Sequence, residues 1–503
     1  MQIPVVDIFA GPGGLGEGFS AFLPRKNSKQ SPFKIAISAE AEANASKTLR
    51  LRAFFRQFPI GEVPESYYDY VAGLAGNPWT EETMSQWEAA GEEARQLTLG
   101  RPEHDEELHG RIRKVSGKDQ PWILIGGPPC QAYSLVGRAR NKGKAGYRAE
   151  EDSRHFLYTH YLKILREFRP AAFVMENVKG ILSSKVGQEL MFPRILDDLH
   201  QPGGKGGPRY RLVSMIVPPK EDRIFPDDKD FVLKAEELGV PQARHRVVLL
   251  GLLEDFEMKS GKRLELQSEQ FSVADVIGGL PPLRSGVTDC EVVCWSEFAR
   301  RVLNGVERGA TDVKTAGRLR NAAKNLRKRD PGTGGRWMPA TPSSANVPPH
   351  LESWLLDPRL GGILNHEVRE HMTSDLMRYA FSSAFAQAHG RSPRGAKEFP
   401  AELYPKHKNW KSGKFVDRFK AQLSDHPSST ITSHLSKDGH YFIHPDPRQL
   451  RSLSVREAAR LQTFPDNYFF EGKRGHQFKQ VGNAVPPWMA RQIAAVVYSY
   501  LKP

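Results

Sequence analysis

Short apolar runs recur through the first half of the chain, each ending where glycine, proline or a polar residue takes over. Val5-Val6-Asp7-Ile8-Phe9 passes directly into Ala10-Gly11-Pro12-Gly13-Gly14-Leu15-Gly16-Glu17-Gly18 and an apolar helical stretch. Lys34-Ile35-Ala36-Ile37-Ser38 ends in Ala39-Glu40, and Trp122-Ile123-Leu124-Ile125 ends in two glycines and two prolines. Ala172-Phe173-Val174-Met175 leads into Glu176-Asn177-Val178, and Val247 to Leu252 forms a further run. Short apolar runs bounded by turn residues predict strands of an α/β sheet. The opening order of strand, glycine turn and helix predicts a Rossmann-like nucleotide site.

Two strand ends carry chemistry. Pro128-Pro129-Cys130-Gln131 puts a thiol on a stiff corner, because proline fixes the backbone and removes N–H donors. Glu176-Asn177 supplies a carboxylate from a second strand end. A nucleophile with a proton donor beside it suggests attack on an unsaturated ring, whereas either motif alone would also suit a buried cysteine or a helix cap. Gly11, Gly13 and Gly16 satisfy the dinucleotide pattern, which leaves nicotinamide and flavin cofactors open. Glu40 would grip a ribose diol in either case, or sit in the first turn of the next helix.

Charge narrows the partners. The 503 residues carry 72 Lys and Arg against 58 Asp and Glu, a net +14, which favours a polyanion such as nucleic acid. A chain of this length is expected to form two domains. Cys130, Cys290 and Cys294 are the three cysteines, and the last two lack the further ligands of a zinc site, so no metal is expected. The first strand begins without a basic leader, and no apolar run approaches the roughly 18 residues of a membrane helix, so a reducing cytoplasm is expected.

Six ordered segments together resemble the DNA (cytosine-5) methyltransferase family, from residue 3 to about 495. They are Asp7-Ile8-Phe9-Ala10-Gly11-Pro12-Gly13-Gly14, Gly127-Pro128-Pro129-Cys130-Gln131, Glu176-Asn177-Val178, and Gly239-Val240-Pro241-Gln242-Ala243-Arg244-His245-Arg246. Arg456-Glu457-Ala458-Ala459-Arg460-Leu461-Gln462-Thr463-Phe464-Pro465 and Gly482-Asn483-Ala484-Val485-Pro486-Pro487 complete the set.

The resemblance implies an α/β, Rossmann-like S-adenosylmethionine-dependent methyltransferase domain, discontinuous over 1–270 and 446–503, with a smaller target-recognition domain inserted at 271–445. It implies transfer of a methyl group from S-adenosylmethionine to C5 of a flipped-out cytosine in double-stranded DNA. Cys130 would add at C6 of the ring, Glu176 would hold the N3/N4 edge, and Arg246, with Arg244 beside it, would hold O2. Pro129 and Asn177 would border the base. Phe9, Gly11, Gly13, Gly14, Glu40, Asn483 and Val485 would form the cofactor site. Ala41 departs from the bulky residue that often covers adenine, and the acid for the adenine amino group is not located, with Asp105 and Asp119 as candidates. The family also implies a monomer on DNA, a bacterial nucleoid setting and pairing with a restriction endonuclease. An RNA methyltransferase or a silent DNA-binding protein are the alternatives.

Charge placement supports that organisation. Residues 271–445 hold 25 Lys and Arg and 17 Asp and Glu, a net +8 of the total +14, as suits a region facing phosphates. Lys314, Arg318, Arg320, Lys324, Arg327, Lys328 and Arg329 form a run without acids, with Arg320, Lys324 and Arg327 expected on one helix face. Gly137 to Gly146 reads as a mobile basic loop able to close on DNA. Residues 80–110 read as an acidic helical insertion turned away from it.

Overall fold

The computed structural model describes residues 2–25, 27–117, 120–129, 153–186, 188–219, 223–341, 347–406, 410 and 417–502. Cys130, Asp119 and the basic loop at 137–146 lie outside the described residues. The apolar runs form β1 (Ile3–Ile8), β2 (Phe33–Glu40), β3 (Ala94–Gln96), β4 (Ile123–Gly126) and β5 (Ala172–Val178). Three more strands, β6 (Tyr210–Val213), β7 (Val232–Lys234) and β8 (His245–Leu253), complete an eight-stranded sheet. Its order is β3-β2-β1-β4-β5-β8-β6, with β7 also paired to β8. The five strands β1 to β5 run parallel, whereas β8 is antiparallel to β5, β6 and β7.

Val5, Val6 and Ile8 are buried because helices cover both faces of the sheet. One face carries α1 (Gly14–Ser20) and the last helix of the chain, α13 (Pro487–Leu501). The other carries α5 (Pro102–Val115), α6 (Ser153–Phe168) and α7 (Met191–His200). A Cβ on Gly18 would lie 2.4 Å from that of Ala490, so glycine is what lets α1 and α13 touch. The first and last segments of the chain thus pack on one and the same α/β sheet, of Rossmann-like order. Strand order reverses between β1 and β4, and ligands bind such sheets beyond the carboxyl ends of those strands.

Two sequence expectations change. Residues 80–110 contain α4 (Met84–Glu93), but Ala94–Gln96 inside them is the edge strand β3, too short and too polar to stand out as an apolar run. Three of its glutamates are paired: Glu93 is buried against Arg56, Glu107 pairs with Arg95 and Arg111, and Glu92 pairs with Arg111. The basic run lies on α9 (Val313–Lys324), which ends before Arg327, so Arg327 shares no helix face with Arg320 and Lys324.

The apolar residues of 271–445 divide among three cores. One is their own but for Leu450: α8 (Trp295–Gly309), α9 and α10 (Thr373–His389) pack around Trp295, Leu303, Leu319, Tyr379 and Phe385. A second joins Val273, Val276, Leu351 and Ile431 to Leu453, Phe464 and Val481. The third joins Leu360 and Leu364 to Leu49, Phe54 and Tyr67, on α2 (Ala43–Phe55) and α3 (Glu65–Ala72). Among the described residues no helix is long and apolar enough to cross a membrane.

Candidate active site

β1 ends in a left-handed residue, Phe9 at φ 56°, which a side chain rarely adopts, and the chain then turns through Gly11 and Gly13 into α1. Glu40, at the end of the adjacent β2, faces this turn: its Oε2 accepts from Gly11 N at 2.8 Å and its Oε1 from Glu42 N at 2.8 Å. A Cβ on Gly14 would lie 2.1 Å from Val485 O, so the loop after residue 482 rests directly on the glycine turn. Tyr468 Oη also donates to Pro12 O. Residues far apart in the chain, Phe9 to Gly14, Glu40 and Val485, therefore meet in one crevice, with Asn483 exposed at its edge.

These residues fit a nucleoside cofactor. A Cβ on Gly11 would meet nothing within 4 Å, so there is open room over the turn beside the Glu40 carboxylate. Burial raises the Glu40 carboxyl, while the amide donors of Glu42 and Gly11 oppose the shift. Behind the turn, burial pushes Asp7 up to about 8 against the pull of Arg56. This upward shift favours the neutral carboxyl, so Asp7 adds little charge behind the glycine turn. β3 supplies a residue that sequence reading missed. Gln96 ends that strand directly opposite Glu40 in register, and its Nε2 donates to Ala41 O at 3.3 Å. Asp105 lies further on, in α5, where its Oδ1 accepts from Gly100 N and its Oδ2 lies 3.3 Å from His160.

The second half of the crevice lies at the end of β4. A Cβ on Gly126 would lie 2.3 Å from Ile8 O, and one on Gly127 would lie 3.1 Å from Glu176 Oε2. Two glycines thus let β4 approach both β1 and the carboxylate. The following Pro128-Pro129 corner leads toward Cys130, which lies outside the described residues. Asn177 Nδ2 donates to Pro128 O at 3.2 Å and its Oδ1 accepts from Val178 N at 2.9 Å. Its amide is thus spent on the chain itself, holding the Pro128 corner.

Glu176 and Arg246 form the charged centre. β5 and β8 pair antiparallel with Val178 opposite Arg246 and Glu176 opposite Val248, and Arg246 Nε lies 2.9 Å from Glu176 Oε1. Both side chains keep a little exposure, 11% and 14%, which leaves them accessible to a ligand. Arg244 is different in depth. It is 1% exposed, and its guanidinium donates to Ile431 O and Ala484 O at 2.8 Å, with Gly482 O at 3.4 Å. Burial and the neighbouring Arg246 hold its pKa well below the usual arginine value. The sequence alternation predicts a common face for Arg244 and Arg246, but Arg244 lies just before β8 and ends on the carbonyls of Ile431, Gly482 and Ala484, whereas Arg246 reaches Glu176.

The family model of the C-5 cytosine-specific DNA methylases matches residues 101–290 and 352–499, two thirds of the chain. The protein belongs to that family. A type II methyltransferase of Bacillus paralicheniformis, M.Bpa9945I, is 32% identical over 98% of both chains. The DNA (cytosine-5-)-methyltransferase M.ApeKI of Aeropyrum pernix is 27% identical over 77% of this chain and 83% of its own. The fold is shared with the crystal structure of an E. coli prophage protein described as a DNA modification methyltransferase, at a TM-score of 0.50, 18% identity and full coverage of both chains. This DNA methyltransferase is thus a cytosine-5 enzyme of the restriction-modification type.

Proposed function

We propose that this methyltransferase moves a methyl group from S-adenosylmethionine to C5 of a cytosine flipped out of duplex DNA, through a covalent bond between Cys130 and C6. The observation that carries the reading is the Glu176–Arg246 pair beside the Pro128–Pro129 corner that leads into Cys130. C5 of cytosine is a weak nucleophile. The Cys130 thiolate adds at C6 and pushes electrons onto the ring, Glu176 hydrogen-bonds the N3/N4 edge where negative charge builds, and Arg246 holds O2. C5 then takes the methyl group, and loss of the C5 proton expels the Cys130 thiolate. The cofactor supplies an electrophilic sulfonium methyl. Glu40 holds its ribose, Gln96 takes the adenine edge in place of an acid, and Phe9, Gly11, Gly13, Gly14, Asn483 and Val485 enclose it. Flipping costs a few kcal/mol, recovered in the pocket and along the backbone.

Residues 271–445 would choose the site, with α9 and Arg327 to Arg329 on phosphates and a few side chains on base edges. Host protection beside a partner restriction endonuclease, and action as a monomer, follow as the biological part of the proposal. Bisulfite sequencing of DNA from cells expressing the chain tests the reaction and reports the target together. Uniform conversion at every cytosine would refute it.

A further inference from the structure

A cleft of about 980 Å³ lies outside the crevice just described, between residues 365–370, the turn around Ser436 and Lys437, and the start of α12 (Arg474–Asn483). Five cations, Arg336, Arg369, Lys437, Lys473 and Arg474, line it against three acids. Three of the five are held in place. Arg336 lies over the Phe469 ring at 4.4 Å and donates to Tyr70 O, and Arg474 pairs with Glu367 at 3.0 Å. Arg369 donates to the carbonyls of Leu435 and Lys437, which fixes the backbone that presents Lys437. Lys437 and Lys473 are exposed and have no ion pair among the described residues. Two free ammonium groups on a rigid, cation-rich wall match a chain of phosphates better than a compact ligand. Nothing in methyl transfer itself needs them.

α12 sets the distance from the chemistry. Its last residue is Asn483, at the cofactor crevice, and Lys473 immediately precedes its first. Ten residues of helix rise about 15 Å, which equals about four base pairs at 3.4 Å each along a duplex laid parallel to α12. We propose that this cleft grips the DNA backbone about four base pairs to one side of the target cytosine, with Lys437 and Lys473 as the contacts. The placement rests on the reading of the site as one that acts on a cytosine in duplex DNA.

The test compares wild type with the Lys437→Gln/Lys473→Gln variant, using duplexes that carry the bisulfite-identified site. Affinity is measured against salt, and on duplexes trimmed from either end. The variant should lose about 2 from the log–log salt slope, about 1 per lysine, with S-adenosylmethionine binding unchanged. Trimming one flank to within about three base pairs of the target should weaken wild type and leave the variant indifferent. An unchanged slope, or equal sensitivity of both proteins to trimming, would overturn the proposal. Failure of wild type itself to bind duplex DNA would instead refute the reading on which it rests.

Discussion

The basic residues of 451–460 and those of 314–329 are similar as charge and opposite as structure. Arg451, Arg456 and Arg460 are at most 1% exposed, whereas Arg318, Arg320, Lys324, Arg327, Lys328 and Arg329 face solvent. Arg451 makes two 2.6 Å contacts with Glu457, and Arg460 grips Asp466 through Nε at 2.9 Å and Nη2 at 2.6 Å. Arg456 ends on the carbonyls of Leu364, Pro465 and Tyr468, and Arg460 also reaches Val276 O. These side chains stitch α11 (Val455–Leu461) to segments on either side of it in the chain. Among the described residues the one ion pair of an α9 cation is Arg320 with Glu307, and Arg320 is 59% exposed in it. Positive charge in a sequence therefore has two uses, and burial separates them. Arg451 to Arg460 hold segments together, and the α9 run is free to meet phosphate.

A variant outside both regions bounds the comparison with the largest effect. Cys130→Ser should reduce methyl transfer by more than about a thousandfold, since a hydroxyl is a far weaker nucleophile than a thiolate. Stability and S-adenosylmethionine binding should stay near wild type. Radiolabelled methyl transfer and cofactor titration check this, and near-normal turnover would remove the thiol from the mechanism.

The buried arginines should dominate stability. Arg460→Ala leaves buried Asp466 with only the Arg456 guanidinium, 3.9 Å away and without a hydrogen bond to it, a loss of about 3 kcal/mol in urea unfolding. An equivalent Arg318→Ala should stay within about 0.5 kcal/mol of wild type. If the two variants unfold alike, the contrast in roles is wrong.

Acid should attack the same buried region. Burial holds His366 and His444 at about 4, below the ordinary 6.5, and Arg451 holds Glu457 far below its usual range. Between about pH 6.5 and 4 the unfolded chain takes up protons at these histidines that the folded chain refuses, so stability falls as pH falls. The loss is on the order of 3 kcal/mol per histidine at the acid end, and Glu457 adds to it below about pH 4.5. Urea unfolding at pH 7 and pH 5 measures it. His444→Gln should flatten the slope, whereas alanines on α9 should not.

The strand-end chemistry was legible because its signals are local. Glycines, prolines and short apolar runs placed Glu40 beside Gly11 and Glu176 near Gly127 without any knowledge of packing. Depth was not legible. Arg244 and Arg246 stand two apart in the sequence and look alike there, but only the packed structure shows Arg244 closed off by Ile431, Gly482 and Ala484. Nor could Gln96 be found, since a three-residue edge strand has no apolar run, and its place is set by pairing with β2. The cores of 271–445 were hidden for a similar reason: which wall Leu364 or Ile431 joins depends on partners hundreds of residues or one domain away.

The smallest effect should come from the exposed run, and it is the one that gives that run a function. Replacing Arg318, Lys324, Arg327, Lys328 and Arg329 by alanine removes no buried partner, because all five are exposed. Unfolding should therefore change little. DNA affinity should fall by a similar factor on every sequence, since phosphates carry no base identity. The log–log salt slope should drop by about 0.9 for each phosphate contact removed. Arg320 is left intact because Glu307 engages it, so the variant tests the free cations alone. A variant with lower affinity but an unchanged salt slope would mean lost base reading rather than lost backbone contact. If affinity and slope both stay at wild type, α9 is a solvated face, and the excess charge of 271–445 must act through other residues, with Lys437 the first to examine.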